Sequence, residues 1–238
     1  MNVGVEYCEH PATVALRPWL DCIWVRGGNP DGPVRVLPDG CIDIVWTRGT
    51  GTLIVGANTT AFQVGIAPGI QVVGARLRPG AAPPLLGVEP EQLRDVRVPV
   101  QELLGDRGTR LAAALDDDPD PASRLDHWLH ARAAQAELPD RTVAAAVARL
   151  SHSADRVGAL AGELGCSERA LRRRVRAAIG YGPKRLGRVL RLQRALEAAR
   201  GGEELSAVAF GAGYADQAHF THDCCELAGL PPSALLAT

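Results

Sequence analysis

Ser167-Glu168-Arg169-Ala170-Leu171-Arg172-Arg173-Arg174-Val175-Arg176-Ala177-Ala178-Ile179 is the stretch on which the reading of this chain turns. Ser167 can cap a helix, because its hydroxyl can accept from an amide of the first turn. Ala170, Leu171, Val175 and Ala178 then recur at helical spacing and form an inward stripe. Arg169, Arg172, Arg173 and Arg176 fall on the remaining face. Just upstream, Val157, Leu160, Ala161 and Leu164 give the apolar face of a shorter helix, from about Arg156 to Leu164, which Asp155 can cap. Gly165 can take the left-handed conformation that turns the chain between the two. A short helix, a tight turn with glycine and a basic second helix make a geometry that enters a major groove.

Charge sharpens this expectation. From Arg169 to Arg194 there are ten basic residues and no acidic one. A helix that needed only solubility would mix signs, and an unneutralised run repels itself unless a polyanion relieves it. A merely solvated basic face and a membrane-surface helix are the competing readings. The second conflicts with the need for Leu171 and Val175 in a core. The whole chain of 238 residues has a net charge of −1, which conceals an asymmetry. Residues 141–238 carry a balance of +5 and residues 1–140 one of −6. A basic half joined to an acidic one suggests a polyanion-binding module attached to something else.

Downstream, Pro183 can open a helix that runs to about Arg200, where Gly201-Gly202 ends it. Leu186, Val189, Leu190, Gln193 and Leu196 give its inward face, while Lys184, Arg188 and Arg191 can reach backbone phosphates. A second unit follows. Ser206 can cap Ala207 to Ala212, Gly213 turns the chain, and Asp216 caps a helix from Gln217 to about Leu227. Phe220 points inward, and Gln217, His219, Thr221 and His222 are the outward candidates. Gly229-Leu230-Pro231-Pro232-Ser233 leads to a short terminal helix.

These motifs in this order resemble the DNA-binding domain of the AraC/XylS family of transcription regulators over residues 142–238. They are Leu160-Ala161-x-x-Leu164-Gly165-Cys166-Ser167-x-Arg169-x-Leu171-x-Arg173, Gly180-Tyr181-Gly182-Pro183-Lys184, Ala209-x-x-x-Gly213-Tyr214-x-Asp216-Gln217-x-His219-Phe220, and Gly229-Leu230-Pro231-Pro232-Ser233. The resemblance implies two helix-turn-helix units joined by a long linker helix, their recognition helices in successive major grooves. Arg169, Arg172 and Arg173 would face bases in the first unit, and Gln217, His219 and His222 in the second. The second unit departs from the family pattern. An arginine, an aromatic and a basic residue are replaced by His222, Cys224 and Cys225, and no Lys or Arg follows Arg200. The first unit is therefore expected to supply most of the electrostatic affinity.

The front of the chain reads differently. Val34–Leu37 and Cys41–Trp46 flank Asp39-Gly40, a hairpin signal because both residues tolerate positive φ. Such a hairpin would set Leu37 opposite Ile42 and Val36 opposite Asp43. Further short apolar runs at Thr52–Val55, Gln63–Ile66 and Gln71–Leu77 argue for a small barrel or sandwich. The segment around Val36–Asp43 also resembles a sensor-like domain found in some family members. From Pro99 on, Val100–Leu104, Arg110–Leu115 and Ser123–Ala136 read as connector helices. The acidic break Asp116–Pro121 between them reads as simply solvated. Pro139-Asp140 marks the expected junction.

In the N-terminal part, Tyr7, Trp24 and Trp46 with Arg35, Asp43 and Arg76 could line an effector pocket, a few polar groups among aromatics. Core packing is the competing role of each tryptophan. Cys22 and Cys41 are candidate redox or electrophile-sensing thiols, which would need a basic neighbour to become reactive. His219, His222, Cys224 and Cys225 invite a metal reading, but the resemblance puts Cys224 at a buried position, so no metal site is assigned. No P-loop, Rossmann, G-x-S-x-G or H-E-x-x-H motif is present, nor a transferase motif around a cysteine, and no enzyme is expected. There is no run long enough to span a membrane and no secretory pattern at the N-terminus.

The expectation is an α+β chain of three parts: a β-rich barrel or sandwich sensor over 1–99, a helical connector over 100–139, and an all-α domain with two helix-turn-helix units over 140–238. It would be a cytoplasmic regulator without a cofactor. Its partners would be double-stranded DNA, a small-molecule effector, RNA polymerase by family analogy, and a second copy of itself through the connector helices. The alternatives are a cysteine- or metal-based sensor regulator and an interaction protein that has lost DNA binding.

Overall fold

The computed structural model describes residues 7–27, 32–153 and 156–237. Its N-terminal part is β-rich and its C-terminal part is all helical. The strands are β1 Tyr7–Pro11, β2 Leu20–Arg26, β3 Val34–Val36, β4 Ile42–Thr47, β5 Gly51–Val55, β6 Phe62–Val64, β7 Val72–Leu77 and β8 Arg97–Pro99. Six of them form one antiparallel sheet in the order β1-β2-β7-β4-β5-β8, and β3 and β6 form a separate two-stranded ribbon.

The expected hairpin across Asp39-Gly40 does not form. β3 pairs with β6, and β4 pairs with β5 and β7. The turn is real, with Gly40 at φ +85° and Asp39 Oδ1 accepting from the Cys41 amide at 2.8 Å. It passes the chain from the ribbon to the main sheet instead of folding it back. Asp39, expected as a loop residue of a hairpin, makes an Asx turn instead, which fixes local geometry without fixing the strand partner.

Strand alternation gives the main sheet two faces. Leu20, Ile23, Ile42, Ile44, Trp46, Val73, Ala75 and Leu77 point to one face and are buried. The connector helices α3 Val100–Leu104, α4 Asp106–Asp117 and α5 Pro121–Ala133 cover it, with Leu111, Leu115, Leu125 and Leu129 almost fully buried. The apolar stripes that lacked a partner in the sequence are thus spent on the sheet. That removes the reason for assigning these helices to dimer contacts. The acidic break is also more than solvated, because Asp116 belongs to α4 and accepts from Trp46 Nε1 at 2.7 Å.

Two short helices, α1 Ala82–Leu86 and α2 Pro90–Leu93, connect β7 to β8. The C-terminal part comprises α6 Arg141–His152, α7 Val157–Glu163, α8 Glu168–Ile179, α9 Pro183–Arg200, α10 Leu205–Gly211, α11 Gln217–Ala228 and α12 Pro232–Leu236. Asp140 caps α6, accepting from the amides of Thr142 at 2.8 Å and Val143 at 3.2 Å. Buried side chains run continuously from the sheet through α6 to Leu160, Leu171, Val175, Ile179 and Leu186. The second helix-turn-helix unit has its own cluster around Phe220, Cys224, Leu227 and Leu196. The buried side chains thus form two clusters, one shared by the N-terminal part and the first unit and one within the second unit.

Candidate nucleic-acid interface

The first unit forms as its side chains dictate. Leu171, Val175 and Ile179 bury one side of α8 against the core, and the Ser167 hydroxyl accepts from the Ala170 amide at 3.2 Å. Gly165 turns the chain at φ +66°. Asp155, the expected cap of α7, lies outside the described residues; α7 begins at Val157 with no capping side-chain bond from Arg156. Arg169, Arg172, Arg173 and Arg176 are all exposed on α8. Arg169 and Arg173 have no partner among the described residues. Arg172 is held by Glu168 one turn earlier on the same helix, its Nε 2.8 Å from the carboxylate. Arg176 reaches Glu91 of α2 at 2.5 Å, so the N-terminal part places a carboxylate on the recognition helix. Glu91 is held below the usual carboxylate range by that guanidinium. Nearby, Arg174 pairs with the helix-capping Asp140 at 2.7 Å.

On α9, Lys184 is exposed and free among the described residues. Arg188 and Arg191, expected to reach phosphates, are turned inward. Arg188 donates to Asp223 from Nε at 3.1 Å and from Nη2 at 2.5 Å, and to Glu226 at 2.5–3.0 Å. Arg191 donates to the other Asp223 oxygen at 2.8 Å and lies 4.1 Å from the centre of the Tyr214 ring. Asp223 is buried, at 2% exposure. Burial alone would raise its carboxyl, but the bonds from Arg188 and Arg191 hold it below the usual range. Arg185 adds a bond to Glu226 at 3.0 Å. Arg194 donates to the carbonyls of Ser151 at 2.9 Å and Ala212 at 2.8 Å, tying α6 and α9 to the second unit. The sequence held only half of this network: Arg188 and Arg191 share one face of α9 at i, i+3, and Asp223 and Glu226 share one face of α11, but the spacing does not pair the two helices.

The second unit presents less charge. Asp216 caps α11 by accepting from the His219 amide at 2.7 Å. Gln217, His219 and His222 are exposed and Thr221 is half-buried. Thr221 Oγ1 donates back to the Gln217 carbonyl at 2.9 Å, and the His219 ring packs edge-on against Tyr214 at 5.2 Å. Cys224 is fully buried, so it does not face His219 or His222. His222, Asp223 and Glu226 do bring ligand-type atoms within 4.8 Å of one another. Their carboxylates already face three guanidinium groups, which disfavours a further cation there.

The N-terminal part also grips the far end of α11. The Ala61 amide donates to the Leu227 carbonyl at 2.7 Å, and Arg35 Nη1 donates to the Ala228 carbonyl at 3.1 Å. These are last-turn carbonyls, where donors and positive charge are favourable. Gln193, placed on the inward face of α9 from its spacing, donates to the Pro38 carbonyl at 2.7 Å.

The proposed effector residues separate into groups. Trp46 points into the helix-covered core and Arg35 works at the α11 end, so neither joins the others. Tyr7, Trp24, Asp43 and Arg76 share the opposite face of the sheet, where Trp24 lies across Gly74, so close that a Cβ there would sit 2.1 Å from the ring. Arg76 donates to Glu9 at 2.7 Å and to Tyr7 at 3.1 Å, with Asp39 at 3.6 Å and Asp43 at 4.0 Å. Glu9 and Asp39 were not anticipated at this cluster. Three carboxylates thus surround one guanidinium. Burial and the Asp39 carboxylate push Asp43 up to about 8 despite Arg76. Asp43 Oδ1 and Trp24 Nε1 have no hydrogen-bond partner among the described residues. The candidate thiols are unfavourable for sensing. Burial pushes Cys22 up to about 12 and Cys41 well above the ordinary thiol range, although Arg76 lies 3.9 Å from Cys22.

Among the described residues no helix is long and apolar enough to cross a membrane. Compared with known families, residues 8–99 match a domain of unknown function (DUF6597), and residues 160–238 match a helix-turn-helix domain. No curated protein matches the chain significantly. Solved structures with a similar arrangement include apo ToxT from Vibrio cholerae strain SCE256, 11% identical, covering 96% of this chain and 99% of that one with a TM-score of 0.49. A second ToxT crystal form is 10% identical over 98% of each chain, with a TM-score of 0.48. The transcriptional regulator CdpR from Pseudomonas aeruginosa is 18% identical, covering 74% of this chain and 48% of that one with a TM-score of 0.37. The chain thus carries an AraC-type helix-turn-helix domain, the DNA-binding part of that family's transcription regulators, behind a domain of the DUF6597 type.

Proposed function

We propose that this chain is a sequence-specific transcription regulator whose first helix-turn-helix unit dominates DNA affinity. One contrast carries the reading: Arg169 and Arg173 stand exposed and unpaired on α8, whereas Arg185, Arg188, Arg191 and Arg194 of α9 are engaged within the protein. The pairs of Arg172 with Glu168 and Arg176 with Glu91 are exposed and weak enough to be exchanged for phosphate. Gln217, His219, Thr221 and His222 would add base-edge contacts with little charge. Five available cations, Arg169, Arg172, Arg173, Arg176 and Lys184, limit the slope of log K against log salt to about −4.5, at about −0.9 per phosphate contact, and each that reads a base instead makes it shallower. Titrating a selected duplex at several salt concentrations measures it. A slope steeper than about −7 would mean that the arginines of α9 also leave their carboxylates.

The face around Arg76 favours a polar effector that hydrogen-bonds Asp43 and Trp24, because Asp43 Oδ1 and Trp24 Nε1 are buried there without a partner among the described residues. The turn at Pro38–Gly40 joins this cluster to α9, since Asp39 faces Arg76 while Gly40 packs against Leu186. Such an effector would act by altering the grip of the N-terminal part on α8 and α11. Contact with RNA polymerase follows from the family likeness alone. A change in duplex affinity on adding a ligand to the wild type, lost in Asp43→Asn, tests the effector site.

A further inference from the structure

The outer side of the connector holds a cleft of about 330 Å³ between α4 and α5. Arg107, Arg110 and Leu111 stand on one face of α4, and Arg124, His127 and Trp128 on the facing side of α5. Leu111 is buried and forms an apolar floor, with Trp128 half-buried beside it. No carboxylate lines the cleft. Of the nearby acids, Asp118 pairs with Arg124 at 2.7 Å, Asp116 of α4 accepts from Trp46 at 2.7 Å, and Asp126 of α5 faces His130 at 3.3 Å. Arg107, Arg110 and the Trp128 indole N–H have no partner among the described residues. The positive field is felt nearby, because burial and then Arg107 hold the Arg132 guanidinium below its ordinary range.

Two unpaired guanidinium groups above an apolar floor suit an anion that also carries apolar surface. We propose that this cleft binds a small organic anion, a carboxylate or phosphate attached to a flat apolar group. Arg107 and Arg110 grip the charged end, and Leu111 and Trp128 take the ring. The volume falls at the lower end of the usual range for ligand pockets, about 300–1,000 Å³. The cleft lies on the helix-covered side of the sheet, away from the Arg76 cluster, and does not depend on that cluster holding an effector.

Phenyl phosphate is a suitable probe for the full chain, titrated while the indole N–H resonances of the four tryptophans are followed by NMR. The Trp128 resonance, assigned with Trp128→Phe, should move alone. Inorganic phosphate and benzyl alcohol should each bind at least tenfold more weakly than phenyl phosphate. Arg107→Gln with Arg110→Gln should weaken binding about tenfold or more, and both positions are exposed, so the fold is retained. Equal affinity for inorganic phosphate, a shift at another tryptophan, or indifference to the double substitution would overturn the proposal. So would displacement of phenyl phosphate by a short duplex, which would make the cleft part of a nucleic-acid surface.

Discussion

Replacing Asp223 by asparagine tests the claim that the second unit is held by internal charge and does not offer that charge to DNA. Asp223 is 2% exposed and accepts three bonds, from Arg188 at 3.1 and 2.5 Å and from Arg191 at 2.8 Å. The substitution removes one negative charge and leaves two guanidinium groups side by side. Removing one partner of a buried ion pair costs about 3–5 kcal/mol. Arg188 keeps Glu226 and its side chain is 25% exposed, so the lower end, about 3 kcal/mol, is expected. For a chain of this length, at roughly 2–4 °C per kcal/mol, the melting temperature should fall by about 6–12 °C. Thermal melts followed by circular dichroism measure this. The pH dependence adds a second readout. The Asp223 carboxyl is lowered in the folded protein. Its stabilisation is therefore complete above the unfolded aspartate value near ~3.9 and is lost as pH falls through the lower folded value. The gap between wild type and Asp223→Asn should be widest at neutral pH and close under strongly acidic conditions. A fall of less than about 2 °C, or a gap unchanged with pH, would refute the reasoning and return Arg188 and Arg191 to the pool of DNA contacts.

Arg173→Ala should cost about 1–3 kcal/mol of specific DNA binding and His222→Ala less; equal or reversed losses in a binding titration would reject the ranking of the two units. Glu91→Gln frees Arg176 from the N-terminal part, so duplex affinity should rise by up to about fivefold, with thermal stability little changed because the pair is exposed. Unchanged affinity would show that Arg176 takes no part in binding. Gly180 ends α8 at φ +95°, and a Cβ there would lie 2.5 Å from the Pro90 carbonyl. Gly180→Ala therefore combines left-handed strain with a backbone clash and should cost about 2–4 kcal/mol in urea unfolding. A loss under about 0.5 kcal/mol would mean that α8 and α2 do not meet closely in solution.

The sequence by itself determined the helices that carry the candidate DNA contacts. The expected bounds of α8 and α9 match the structure, and Ser167, Gly165, Asp216 and Gly213 act as the expected caps and turns. These features are local: a stripe at helical spacing, a capping oxygen and a positive φ each depend on a few neighbouring residues. Only the tertiary structure decided which charges are free. Arg173 and Arg188 look alike in the sequence, yet one faces solvent while the other meets Asp223, 35 residues away. Strand partners were illegible for the same reason, as the Asp39-Gly40 turn shows: it joins two sheets where a local signal suggested a hairpin. Pairing between distant residues depends on how whole elements pack, and a window of sequence does not contain the partner. The grip of Glu91, Arg35 and Ala61 on both recognition helices became visible only once the two parts of the chain were brought together in space.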